Sequence, residues 1–147
     1  MVDIPLYFQT LEQTQLVRVS RQVEPADTVP ERAKVALQEL LAGPRSRGLI
    51  TPIPKGTELI SAFWDKTNQR IYANFSDALI ENHPGHTLSE WATIYSIVNT
   101  VVAQTPQIEE VQILVNGQPI REDRFNWDWS LPFKPDELFL EYQTMRD

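Results

Sequence analysis

The chain has no cysteine among its 147 residues. Disulfides, thiolate metal sites and cysteine nucleophiles are therefore excluded. No run is long and apolar enough to span a bilayer. The start, Met1-Val2-Asp3-Ile4-Pro5-Leu6-Tyr7-Phe8, has no basic n-region, no long apolar h-region and no cleavage site, and reads as a trimmed chain would. No G-x-S-x-G nucleophile pattern occurs. Glu109-Glu110 and Glu122-Asp123 are paired acids, but neighbours on a strand point to opposite faces. A glycosidase needs two acids facing each other across a cleft at about 5–10 Å. These absences argue against an enzyme, with no catalytic residue, cofactor or metal expected.

What is present is ordinary for a globular domain: 41% hydrophobic and 22% charged residues. The length suggests one domain over 1–147 that buries most of its apolar surface. Net charge is −7. Residues 1–108 hold 11 acids and 9 bases (−2), and residues 109–147 hold 9 acids and 4 bases (−5). Nucleic acid and anionic membranes are repelled on average.

Periodicity sets the element order. Leu6-Tyr7-Phe8 opens as a short strand. Gln15–Val23 alternates, with Val17, Val19, Arg21 and Val23 sharing one side. Thr28 can cap a helix that carries Pro30 and Glu31 in its first turn. Ala33, Ala36, Leu37, Leu40 and Leu41 form its apolar stripe, and Gly43-Pro44 ends it. Gly43, Gly48 and Lys55-Gly56-Thr57 do not form a phosphate loop, because the glycines follow a helix instead of leading into one. Leu59–Asp65 and Arg70–Phe75 predict a hairpin, and Ser76–His86 a loop. Thr87-Leu88-Ser89-Glu90 has the capping-box pattern, opening a helix to about Val102 or Ala103. Val111, Ile113 and Val115 alternate into the tight-turn pair Asn116-Gly117. The sum is an α+β fold of order ββαββαβ, with two amphipathic helices on one face of a single mixed or antiparallel sheet.

Four constellations stand out. His83 and His86 flank Pro84-Gly85 with Glu81 nearby, but two histidines on a turn lack the further ligands that zinc needs; a solvated helix-start loop is the simpler expectation. The second helix carries no charge from Trp91 to Ile108. Opposite its apolar face lie Thr93, Ser96, Thr100 and Ala103, a small-residue stripe that lets another backbone approach closely. That stripe fits a subunit contact or a face covered by the chain's own C-terminal segment. Arg45 and Arg47, with Lys55, form a basic loop suited to an anionic partner. Phe125-Asn126-Trp127-Asp128-Trp129 either buries its aromatics or presents them to sugar rings. Trp64, Trp127 and Trp129 are the candidate ligand contacts in the second case.

Taken together, several stretches resemble the sporulation and spore-germination domain of GerM type, the GerMN domain. They are Leu6-Tyr7-Phe8, Leu16-Val17-Arg18-Val19, Leu40-Leu41-Ala42-Gly43-Pro44, Pro52-Ile53-Pro54-Lys55-Gly56-Thr57, Ala73-Asn74-Phe75-Ser76, Ile97-Val98-Asn99-Thr100 and Val111-Gln112-Ile113-Leu114-Val115-Asn116-Gly117. They follow the family's order over residues 4–120, leaving 121–147 as an aromatic, acidic extension. The resemblance implies an extracytoplasmic, often lipoprotein-borne domain without known catalysis. It implies a protein partner or self-association in the cell envelope, as in ring-building assemblies, with peptidoglycan as the alternative partner and no nucleic acid. The chain lacks the signal peptide, lipobox cysteine and second domain copy found among such proteins. Asn99, deep in the helix, is expected to bond a neighbouring backbone group.

Overall fold

The computed structural model describes residues 1–136 and 140–146. The element order is β1 (Val2–Thr10), β2 (Leu16–Val23), α1 (Val29–Ala42), β3 (Leu49–Ile50), β4 (Leu59–Asp65), β5 (Arg70–Phe75), α2 (Ala78–Glu81), α3 (Thr87–Val102), β6 (Glu110–Val115), β7 (Gln118–Pro119) and β8 (Leu140–Arg146). The α+β class holds. The strands divide into two four-stranded sheets, β3-β1-β2-β8 and β4-β5-β6-β7. Both are mixed: β2 pairs parallel with β8, and β5 pairs parallel with β6 across the helical crossover.

The division has its cause at one edge of β1. On the edge away from β2, beyond a short pairing with β3, β1 meets α3 instead of another strand. The Ser96 hydroxyl donates to the Tyr7 carbonyl at 2.6 Å, and the Tyr7 N–H donates to Thr100 Oγ1 at 3.0 Å. Gln104 Nε2 donates to the Pro5 carbonyl at 2.8 Å. Helix side chains thus satisfy a strand edge that would otherwise expose unpaired backbone groups. Pro5 suits this edge: its missing N–H would face α3, so the β1–β2 ladder loses nothing.

Both long helices touch both sheets. α1 packs on β1 and β4, α3 packs on β1 and β6, and the two helices meet each other. This explains why α3 is buried on all sides, from Glu90 through Val101. The small-residue stripe is therefore no free docking face. Thr93, Ser96 and Thr100 are each 0% exposed, and Ala103 is half-buried. The backbone that the stripe admits belongs to the chain's own β1 and to Pro52, whose carbonyl accepts from Thr93 at 2.6 Å.

Local signals mostly act where expected. Thr28 accepts from the Glu31 N–H at 3.3 Å, and Gly43 closes α1 at φ 89°. Arg21 lies on the buried side of β2, as its alternation required. At 1% exposure its guanidinium donates to the carbonyls of Glu39 (3.0 Å) and Gly43 (2.9 Å), answering the negative end of α1. Asn99 exchanges hydrogen bonds with the Asp136 backbone at 3.1 and 3.4 Å. Two boundaries differ. The Ser76–His86 loop contains the single turn α2, and α3 is capped one residue early. There His86 is the N-cap, its N–H donating to Ser89 Oγ at 3.1 Å, while Glu90 points inward.

Candidate functional site

Three regions carry the side chains that sequence reasoning marked, and the structure keeps them apart. The first is the aromatic segment. Trp129 is 1% exposed, so it is a core residue and not a ligand contact. Phe125 and Trp127 are half-buried against the same core. The organiser is Glu90, which is wholly buried. Its carboxylate accepts from the N–H of Asn126 (2.9 Å) and of Trp127 (3.0 Å), from Asn126 Nδ2 (2.8 Å) and from Trp129 Nε1 (3.0 Å). Burial pushes its pKa up. The hydrogen bonds from Trp129, Asn126 and Trp127 outweigh that and hold it below the ordinary glutamate range. No sequence signal announced this, because the capping-box pattern gave Glu90 a different job.

Next to Glu90 sits His83, 4% exposed, not solvated as expected of its loop. Its Nδ1 accepts from the Gly85 N–H at 3.0 Å, which fixes the neutral tautomer with hydrogen on Nε2. That hydrogen goes to Thr93 Oγ1 at 2.8 Å. Phe125 and Trp129 meet the ring edge-on, with centroids 5.3 and 5.5 Å away. Burial lowers the His83 pKa, and Arg124 lowers it further against the pull of Glu90. Arg124 also donates to the carbonyls of His83 (2.8 Å) and Ile80 and lies over Phe125. Gly85, at φ 78°, leaves room for that guanidinium: a Cβ there would stand 2.9 Å from Nη1. His86 is exposed. Among the described residues, no group of three or more histidine or acidic side chains is placed to hold a metal.

The outer side of this segment, with Ile120 to Asp123, lines an open polar cleft of about 500 Å³. Trp127 stands there, its Nε1 donating to the Thr87 carbonyl at 3.1 Å. Trp64 is elsewhere, on β4 opposite Ile71, beside Lys66 and Gln107. The three tryptophans do not converge.

The second region is the face of β4-β5-β6 turned away from the core. Register stacks Asp65, Arg70 and Glu110 in one row, Phe63, Tyr72 and Gln112 in the next, and Ser61, Asn74 and Leu114 in a third. A bulge between Leu59 and Ser61 leaves Ile60 and Ser61 both exposed. Phe63 is 65% exposed and Ile60 53%. Tyr72 lies 6.2 Å from Phe63, steadied by a 2.9 Å bond from Arg70, which pairs with Glu110 at 2.6 Å. The third region is the basic loop: Arg45 and Arg47 are exposed, and Arg45 approaches Glu39 at 3.9 Å.

Among the described residues these regions do set a hydroxyl beside an imidazole, Thr93 at His83, but it accepts the ring's hydrogen and is not activated by it. They are an interlocked α+β scaffold that presents a small aromatic sheet face. The chain belongs to the sporulation and spore germination (Germane) family, whose model matches residues 5–121. Among solved structures it is similar to a candidate lipoprotein from Clostridium perfringens (28% identity, 90% of this chain and 87% of that one, TM-score 0.64). It shares its fold with the first GerMN domain of the sporulation protein GerM from Bacillus subtilis (23% identity, 83% and 88% covered, TM-score 0.67). It also matches the tandem GerMN domains of that protein (18% identity, TM-score 0.70), covering 91% of this chain but 45% of the tandem chain. No curated protein matches. No described helix is long and apolar enough to cross a membrane.

Proposed function

We propose that this chain is a non-catalytic interaction module of the cell envelope and that it docks a protein partner on the outer face of β4-β5-β6. The observation that carries this reading is Phe63, 65% exposed beside Tyr72 on the outer face of β4 and β5. Exposed aromatics on a firm scaffold are the usual anchors of protein interfaces. Family membership supports the envelope setting, as does likeness to a candidate lipoprotein. Arg45 and Arg47 would steer an acidic partner without anchoring it.

The test is site-specific photo-crosslinking in cells, with the crosslinker at Phe63 and, for comparison, at the exposed Lys34 of α1. A discrete adduct in the envelope fraction from position 63, and none from position 34, supports the reading. Equal adducts from both, or none from position 63, refute it. A second reading rests on Trp127 in the polar cleft, where a saccharide ring could stack. Titration with peptidoglycan fragments would then shift tryptophan emission in the wild type and not in Trp127→Phe.

A further inference from the structure

We propose that His83 is an acid-sensitive latch: its protonation frees the turn 83–85 from Arg124 and Asn126 and uncovers the aromatic side chains packed on its ring, while Glu90 goes on holding residues 126–129 to α3. The geometry leaves the ring no way to accept a second proton in place. Nδ1 faces an N–H, from Gly85, at 3.0 Å. A proton on Nδ1 would set two donors against each other, with no acceptor between them. Nε2 already gives its hydrogen to Thr93, whose own proton goes to the Pro52 carbonyl, with the Ser89 carbonyl 2.9 Å away. Aromatic edges close two further sides. An imidazolium must therefore leave this pocket or disrupt it.

The turn carrying His83 is also what the segment grips. Arg124 holds the His83 carbonyl, and Asn126 Nδ2 donates to the Gly85 carbonyl at 3.0 Å. Moving the turn breaks both bonds and takes from Trp129 and Phe125 the ring they pack against. The charged and titratable groups facing the imidazole are Glu90 from α3, Arg124 from the segment and His86 from its own loop. Glu90 favours the protonated form, while Arg124 and His86 oppose it. On the Pro52 side the described residues lining the groove beside His83, among them Gln9, Gln13 and Thr51, are uncharged. Burial adds its own cost to the charged ring. The latch therefore opens below the ordinary histidine value of 6.5. Because the bonds of Tyr7 on β1 to α3 are made by uncharged groups, the two sheets stay in place while the turn lets go.

The experiment uses the whole chain between pH 7.5 and 4. The imidazole resonances of His83 and His86 are followed separately by NMR. Near-UV circular dichroism and acrylamide quenching report the tryptophans, and far-UV circular dichroism reports the fold. The expected result is a reversible loss of near-UV signal and a rise in quenching that track the His83 titration, with far-UV signal retained. His83→Asn keeps an acceptor for the Gly85 N–H but cannot charge, so its transition should move down by about one pH unit or more. His86→Asn should leave the curves unchanged. An aromatic environment that survives His83 protonation would overturn the proposal, as would simultaneous loss of near- and far-UV signals. An unchanged midpoint in His83→Asn would also overturn it. Should that variant not fold, the wild-type curves decide: His83 and tryptophan midpoints that differ refute the latch.

Discussion

Two seams hold α3, and they are made of different chemistry. In its second half the helix meets β1 through Ser96 and Thr100, and Gln104 just beyond its end adds a third bond, all uncharged. At its start it meets residues 124–129 through one buried carboxylate, with a buried imidazole beside it. The first seam replaces a missing strand with hydroxyls. The second pins an aromatic loop with ionisable groups. Neutral hydrogen bonds carry no proton linkage, whereas Glu90 and His83 make their seam depend on pH. One helix thus serves both as framework for β1 and as holder of the aromatic segment.

The largest expected effect breaks the neutral seam. Ser96→Arg would set an unpaired charge against Tyr7 in a fully buried site, costing about 4 kcal/mol or more. The chain should then express insolubly or melt far below wild type. A folded, soluble Ser96→Arg monomer would show that the helix face is open after all. Glu90→Ala comes next. It strands the N–H groups of Asn126 and Trp127 and the Trp129 indole, costing about 3 kcal/mol in denaturant unfolding at neutral pH. Thr100→Val is smaller: it removes only the acceptor for the Tyr7 N–H, about 1.5 kcal/mol, and the loss should be the same at pH 7.5 and 5.

Wild-type stability should behave otherwise. The His83 pKa is lower folded than unfolded, so the unfolded chain binds more protons just below pH 6.5, and stability falls as pH drops from there. The lowered Glu90 pKa adds a second loss, fully avoided above 4.5 and growing as pH falls through its folded value. Stability measured from pH 8 to 4 should therefore decline in two overlapping stages. Phe63→Ser is the smallest perturbation of the fold, within about 0.5 kcal/mol because the ring is exposed. It should nonetheless weaken partner crosslinking from neighbouring positions on the sheet face, which separates surface used for docking from surface used for folding.

The fold was legible where the sequence speaks locally. Thr28, Pro30 and Gly43 bounded α1, Asn116-Gly117 turned between β6 and β7, and alternation placed even Arg21 on the buried side. What stayed hidden depends on contacts between distant residues. The division into two sheets follows from α3 occupying the edge of β1, about ninety residues away along the chain. Glu90 matched a cap pattern and is instead held by residues 126–129. His83 belongs to a stretch of turn residues that usually lies in solvent, yet Phe125, Trp129 and Thr93 enclose it. In sequence the small-residue stripe fits a second subunit or the C-terminal segment equally well, yet the backbone it meets is that of β1 and Pro52. Which backbone it was could not be told from the stripe.

α3 closes the edge of β1 within a single chain. Hydrogen exchange at the Tyr7 amide, measured in a solution diluted until sedimentation gives the mass of one chain, tests it most directly. The account predicts exchange slowed to near the limit set by global unfolding, and a marked loss of that protection in Thr100→Val. A Tyr7 amide that exchanges as fast as an open strand edge would contradict it.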